Sequence, residues 1–315
     1  MTQTIPLALR NPRPSVRVLR ALLICGALAT ALLLPTVRFA MAQRSIPQAD
    51  YVVAVPVADM FARASADSDV TSQVIYGTGV RSIEQNGGWM HIQTADGYKG
   101  WVRAAEFRAS GSHPYPAEGR LVKVTALSVN VYREPDVTQH APLLRLPWEA
   151  QLESIPGAPG NNERWLQVRL VDGGAGWVQR GDITTDTQPM SIAETLQLAR
   201  RFMGITYTWG GVSSFGFDCS GFTQMLVRQR GIEMPRDAGM QATWNGVTAV
   251  ERKDLQPGDL LFFGSSAKNI THTGMYLGGG EFIHDTTHGA PGVQISRLDG
   301  EPWTHLFVAA RRVKP

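Results

Sequence analysis

Cysteine is nearly absent from this chain: two residues, Cys25 and Cys219, in a total of 315. Cys25 lies inside an apolar run near the amino terminus, so removal of that leader leaves one thiol and no partner for an internal disulfide. An odd cysteine in an exported protein points to an intermolecular bridge or a reactive thiolate, and the surroundings of Cys219 favour the second. A Lys/Arg tract is also lacking, which removes the electrostatic reason to expect nucleic acid. No zinc-ligand spacing of cysteines and histidines occurs, so neither a metal nor another cofactor is expected. The apolar run at 21–34 has fourteen residues, short of the roughly 20 that a membrane span needs.

Residues 1–42 read as an export signal. Arg10, Arg13, Arg17 and Arg20 precede the apolar run, and Ala40-Met41-Ala42 supplies a small-x-small cleavage site. The length of the run disfavours an uncleaved anchor, and the apolar residues 28–34 that follow Cys25 argue against lipidation there. The leader holds five arginines and no acid, so the formal balance falls from +3 for the whole chain to −2 for the remainder. The expectation is an exported protein of the periplasm, cell envelope or medium, with no stable membrane span after signal cleavage. With 43% hydrophobic residues and about 270 residues after the leader, it should be globular and contain more than one domain.

Two tryptophan pairs organise the first half. Trp89 and Trp101 are twelve apart, as are Trp165 and Trp177, and both members shift by 76. Gly88-Trp89-Met90-His91-Ile92 leads through Asp96-Gly97 to Gly100-Trp101-Val102, and Arg164-Trp165-Leu166-Gln167-Val168 leads through Asp172-Gly173 to Gly176-Trp177-Val178. Alternating apolar residues around an Asp-Gly turn describe a β-hairpin. Two small all-β barrels are expected, over 50–110 and 118–186, with the four tryptophans in their cores. They resemble the bacterial SH3-like domains that accompany cell-wall enzymes. His113-Pro114-Tyr115-Pro116 fits a linker between them, and residues 184–189 fit one before a third domain at 190–315.

That third domain opens with helical periodicity. Ser191-x-x-Glu194 is a capping box, Ile192, Leu196, Ala199 and Phe202 fall at helical spacing, and Gly204 ends the segment. A second helix is expected over 219–230, with Phe222, Met225 and Leu226 inward and Gly231 as its stop. Strand-like runs follow at 259–263, 271–277, 281–285, 293–295 and 307–311, with Asp259 capping a turn after Pro257-Gly258. Helices first and a mainly antiparallel sheet afterwards make an α+β domain.

A cysteine in the first turn of a helix meets unpaired N–H groups and the positive end of the macrodipole, so its thiol pKa is expected to fall. Catalysis further needs an imidazole to hold the proton and a third group to fix that imidazole. His272 and His284 are the candidates. They sit on two strand-like runs joined by Gly278-Gly279-Gly280, and their even offset is compatible with one shared face, though the register is not fixed by it. His288 ranks second to His284, while His91, His113, His140 and His305 read as structural.

Here Tyr207-Thr208-Trp209-Gly210-Gly211, Asp218-Cys219-Ser220-Gly221, Leu255-Gln256-Pro257-Gly258-Asp259-Leu260, and His272-Thr273-Gly274-Met275-Tyr276 with Phe282-Ile283-His284 occur in one order. In them, residues 191–312 resemble the NlpC family of papain-like bacterial cysteine peptidases, which cut peptidoglycan stem peptides. The resemblance implies Cys219 as nucleophile, His272 as base and His284 as its orienting group, with Tyr207 and the Cys219 amide as oxyanion donors. It also implies Asp218 and Ser220 as ligands of the D-glutamyl portion, with Arg236 and Asp237 nearby. Relatives that cleave free peptides use a tyrosine and an acid of the first barrel to bind the substrate's amino terminus. Tyr98 matches the tyrosine, but Thr71 stands in the acid's place, with Asp69 two residues away. Ala238 replaces a serine frequent in relatives. Trp209, inside the motif, is placed with the substrate-binding residues, although its residue type alone reads as a core aromatic. The expected substrate is a murein peptide cut between γ-D-glutamate and a diamino acid through a thioester. The rivals are an endopeptidase on polymeric wall, acyl transfer on another substrate, and a non-catalytic wall-binding protein, the last disfavoured by intact Cys219, His272 and Tyr207.

Overall fold

The computed structural model of the chain describes residues 49–111 and 114–314. The expected export signal and His113 lie outside the described residues. No helix among the described residues is long and apolar enough to cross a membrane.

The tryptophan repeat is a repeat of structure. In the first β unit the hairpin Trp89–Gln93/Lys99–Arg103 pairs Trp89 with Arg103 and His91 with Trp101. In the second, Trp165–Arg169/Ala175–Gln179 pairs Trp165 with Gln179 and Gln167 with Trp177, the same offsets. Gly97 and Gly173 close the two turns at φ 83° and 89°, a region that favours glycine. Each hairpin runs into a 3₁₀ turn, Ala104–Glu106 and Arg180–Asp182. The first unit is a seven-stranded sheet; the second is a five-stranded sheet with a two-stranded one beside it.

The tryptophans are not the barrel cores expected from the sequence. Side chains alternate faces along a strand, and the inward face belongs to Met90, Ile92 and Val102 in the first unit and to Leu166, Val168 and Val178 in the second. Trp89 and Trp101 are therefore only half-buried, Trp89 edge-on to Phe61 and Trp101 stacked on His91. Trp165 and Trp177 are buried on the outer face, against Tyr132 and Gly160.

The third domain follows the expected order. Helix α1 (Ile192–Arg201) carries the capping box of Ser191 and Glu194. Its buried face is Thr195, Leu198 and Ala199, continued by Phe202, so Ala199 and Phe202 of the expected stripe are buried while Ile192 is exposed. Helix α2 (Cys219–Arg228) is buried along nearly its whole length, and Gly231 follows at φ 76°. A six-stranded antiparallel sheet is built from β1 (Val247–Val250), β2 (Leu260–Ser266), β3 (Asn269–Gly278), β4 (Glu281–Thr286), β5 (Gly292–Arg297) and β6 (Phe307–Val313), in the order β1-β6-β2-β3-β4-β5. The short helices α3 (Ala238–Thr243) and α4 (Trp303–Leu306), and strand β1, have no periodicity long enough to be read beforehand. Asp259 caps its turn, accepting from Gln256 N–H at 2.8 Å, and also pairs with Arg312.

Both β units reach α2. Asp96 of the first accepts from Gln224 Nε2 at 2.8 Å, and Glu149 of the second pairs with Arg228 at 2.5 Å. Arg236 donates to Ser72 of the first unit at 3.0 Å.

Candidate active site

Cys219 opens α2 because Asp218 caps it. One carboxylate oxygen of Asp218 accepts from Gly221 N–H at 2.7 Å, and the other accepts from Gly210 N–H at 3.0 Å. A β-carbon on Gly221 would stand 2.1 Å from the carbonyl oxygen of Gly211, so only glycine lets the loop bearing Tyr207 lie on the first helical turn.

Asp218, Ser220 and Arg236 form a closed, buried cluster. Nη1 of Arg236 reaches Asp218 at 3.0 Å and Ser220 at 2.8 Å; Nη2 reaches Asp218 at 2.6 Å and Gly211 O at 3.5 Å. With Nε on Ser72, every donor of this 2% exposed guanidinium has a protein partner. Arg236 therefore holds the frame around the thiol instead of offering a free fork, while Ser220 donates to Asp218 at 3.2 Å.

The thiol itself meets the backbone of Thr273, the residue after His272. Its expected low pKa is corrected by the structure: burial and the neighbouring Asp218 carboxylate push Cys219 up to about 12, outweighing Thr273, Arg236 and the Ser220 backbone, which act the other way. Helix position alone did not reveal how fully the sulfur is desolvated. Burial also drives His272 down to about 4, against the opposite pull of Asp218. At neutral pH the free protein thus holds a thiol and a neutral imidazole.

Nε2 of His272 lies 2.7 Å from Nδ1 of His284, and Nε2 of His284 lies 3.0 Å from Ser296 Oγ. Two directions satisfy the chain; in the one a base requires, His272 Nε2–H donates to His284 and His284 Nε2–H donates to Ser296, which leaves Nδ1 of His272 as an acceptor. His284 is fully buried, and burial followed by the charges of His272 and His288 hold it well below its ordinary value, so it orients without competing for the proton. His288 is exposed on a loop and takes no place in the chain. Gly274 admits this approach, since a β-carbon there would be 3.0 Å from that of His284.

Tyr207 is half-buried. Burial, then the charges of Cys219, Asp218 and Asp285, keep its hydroxyl protonated as a donor beside the sulfur. Trp209 is 70% exposed, so its reading as an ordinary core aromatic is overturned; its Nε1 donates to Val70 O of the first β unit at 3.0 Å and fixes the ring at the rim. From the same unit the Tyr98 hydroxyl meets the Asp237 carboxylate and lies 3.5 Å from Thr71 O. Thr71 turns its own hydroxyl to Met60 O, and Asp69 is exposed, so neither brings a carboxylate to this corner. Ser296, Ser72, Trp303 and the buried Asp285 complete the surroundings and escaped sequence reasoning, because no local motif marks them.

Comparisons with known proteins bear on the family of the chain. The NlpC/P60 family profile matches residues 204–312, and the bacterial dipeptidyl-peptidase Sh3 domain profile matches 60–107. A γ-D-glutamyl-L-lysine dipeptidyl-peptidase of Bacillus subtilis is 30% identical over 78% of this chain and 82% of its own length. Its Bacillus cereus namesake is 27% identical over 78% of this chain and 75% of its own. The crystal structure of an NlpC/P60 family protein from Bacillus cereus superposes with a TM-score of 0.72 over 84% of this chain and 100% of that one, at 24% identity, a likeness of fold. The chain is a cysteine peptidase of the NlpC/P60 family, with a bacterial SH3 domain ahead of its peptidase domain.

Proposed function

We propose that this peptidase hydrolyses the bond between γ-D-glutamate and an L-diamino acid in murein peptides, releasing L-Ala-γ-D-Glu from substrates with a free amino terminus. The observation that supports the chemistry is the Cys219 thiol against the backbone of Thr273, the residue that follows His272, whose own Nε2 is committed to His284. Sγ attacks the γ-carbonyl carbon while its proton passes to Nδ1 of His272, so charge separation accompanies bond formation instead of preceding it. The Cys219 N–H and the Tyr207 hydroxyl hold the oxyanion, each such donor accounting for about 100-fold in rate. Collapse breaks the C–N bond, and His272 protonates the leaving amine. Water, deprotonated by His272, then cleaves the thioester and regenerates the thiol.

The exo-acting reading is supported by Tyr98 of the first β unit meeting Asp237, which gathers three acceptors that could receive an ammonium: the Asp237 carboxylate, the Tyr98 hydroxyl and Thr71 O. An acid at position 71 is not needed for this. Asp218 and Ser220 would flank the D-glutamyl group. We further infer that residues 118–186 form a second SH3-like barrel, on the strength of the shared hairpin register, that the catalytic domain is papain-like, and that residues 1–42 export the protein to the cell envelope.

The test is to incubate the purified protein with L-Ala-γ-D-Glu-L-Lys, its diaminopimelate counterpart and the N-acetylated forms. Cleavage of the free peptides to L-Ala-γ-D-Glu, lost in Cys219→Ala, is expected. Equal cleavage of the acetylated peptides would overturn the exo-acting reading, and an active Cys219→Ala protein would overturn the nucleophile.

A further inference from the structure

The face of the sheet that carries His284 is covered by α4, which begins at Trp303. The indole is 5% exposed and lies among five rings. It stacks on His272 with centroids 5.0 Å apart and planes inclined by 27°, and it meets His284 edge-on at 4.7 Å and 86°. Phe263 at 5.2 Å and Phe282 at 5.6 Å hold it from the sheet side, and His288 stands at its outer edge at 5.7 Å. Among the described residues no other aromatic ring meets either imidazole at so small an angle, since Phe263 is tilted 47° to His272 and Phe282 is tilted 48° to His284.

Two consequences follow from this arrangement. A histidine ring can rotate about its last side-chain bond, and a flip would put Cε1 where Nε2 stands and Cδ2 where Nδ1 stands, breaking the 2.7 Å link to His284. The stacked indole resists that rotation. It also covers the imidazoles with an apolar surface, and a hydrogen bond kept from water is electrostatically stronger than one that water competes for.

We propose that Trp303 is a positioning residue of this peptidase: its indole face holds the His272 ring in the orientation that gives Nε2 to His284 and leaves Nδ1 to the Cys219 thiol, and it keeps water from that link. The proposal rests on His272 being the base. Trp303 touches no reacting atom and acts only through the two histidines. The titratable groups facing His272 are His284, through space Asp218, and, on the proposal itself, the Cys219 thiol at Nδ1; His288 reaches only the far side of the indole.

The experiment compares Trp303→Phe, Trp303→Met and His272→Ala with wild type, measuring kcat and KM for L-Ala-γ-D-Glu-L-Lys across pH 4–9 and checking folding by circular dichroism and thermal midpoint. Methionine keeps the apolar cover but has no ring face, so kcat is expected to fall on the order of 10- to 100-fold, as for a misplaced catalytic group, with KM within about twofold. Rehydration raises the base toward the ordinary imidazole value, so the acid limb of kcat/KM should move up in pH. Phenylalanine restores a ring and should recover most of kcat. A folded Trp303→Met protein with wild-type kcat and an unmoved acid limb would overturn the proposal. So would equal losses in both variants with no change in the acid limb, the sign of simple packing. Should the methionine variant not fold, the phenylalanine variant decides: its smaller ring is expected to lower kcat a few-fold and raise the acid limb, and a wild-type profile overturns the proposal. His272→Ala separates the two readings, because an active His272→Ala protein refutes the base itself, whereas an inactive one beside wild-type Trp303 variants refutes Trp303 alone.

Discussion

Nε2 of His272 and Nδ1 of His284 lie 2.7 Å apart on adjacent strands, and Ser296 Oγ closes the far end at 3.0 Å. His284 is neutral in this line, so it fixes the tautomer of the proposed base more than it stabilises the charge formed there. His284→Ala should therefore lower kcat by roughly 10- to 100-fold with little effect on KM. His284→Gln, which can return an acceptor to His272 Nε2–H, should recover part of the loss. Steady-state kinetics on the free tripeptide check this, and a glutamine variant no better than alanine would refute the orienting role.

The thiol gives a second, sharper expectation. Its pKa is pushed up to about 12 by burial and Asp218, so the thiolate fraction of the free protein is small throughout the neutral range. Alkylation by iodoacetamide should rise about tenfold per pH unit from pH 7 to 10, in proportion to thiolate. A rate already on a plateau below pH 7 would mean a preformed thiolate–imidazolium pair.

The comparison of sequence and structure turns on how far each signal travels along the chain. Asp218-Cys219 and Ser191-x-x-Glu194 are local, since a cap and the residues it satisfies lie within one turn, and both helices start where those motifs put them. The even offset of His272 and His284 did not fix their shared face; the pairing of Met275 with Ile283 and Tyr276 with Phe282, with a bulge between Tyr276 and Gly278, is what puts even-numbered residues of the two strands on one side. Parity could not say which face of the tryptophan hairpins turns inward, as Trp89 and Met90 are both apolar and only packing chooses between them. The thiol's pKa differs from the expectation for a related reason: it is set by how fully the fold desolvates the sulfur and by the Asp218 charge beside it, and helix position reports neither. Trp209 was likewise ambiguous until the first β unit supplied Val70 O to hold it at the rim.

Glu149 and Arg228 join the second β unit to the end of the catalytic helix, 2.5 Å apart, with Lys123 and Gln229 also on the carboxylate. Glu149 is 5% exposed; burial pushes its pKa up, but Arg228 and Lys123 win and hold it down to about 2. A folded value below the unfolded one means stability that is present above about pH 4.3, the ordinary carboxylate value, and is lost as pH falls toward 2. Glu149→Ala leaves the half-buried Arg228 guanidinium without its carboxylate and should destabilise the protein by about 2 kcal/mol. Denaturant unfolding at pH 7 and at pH 3 measures both effects, and a difference between wild type and variant that does not shrink at the lower pH would exclude this pair as the cause.

Asp285 presents the opposite case. It follows His284 on β4, is fully buried, and neither carboxylate oxygen has a hydrogen-bond partner. Burial first, and the Asp218 carboxylate second, push it up to about 8, with the nearby backbone of Thr286 and Phe217 only tempering the rise. Below about pH 3.9, the ordinary aspartate value, both folded and unfolded forms are protonated and no penalty exists. As pH rises from there to about 8 the unfolded chain ionises while the folded chain must keep the proton, so stability is lost over that window. Asp285→Asn removes the penalty and should raise the thermal midpoint at pH 7 while flattening its decline between pH 4 and 8. Above pH 8 the native carboxylate ionises beside Tyr207, whose hydroxyl already feels its charge. A second negative charge there opposes an oxyanion, so wild-type kcat should decline above pH 8 and that of Asp285→Asn should not. Identical alkaline limbs in the two proteins would rule out Asp285 as their origin, and a lower midpoint for the asparagine variant at pH 7 would mean that the carboxyl is satisfied by a partner after all.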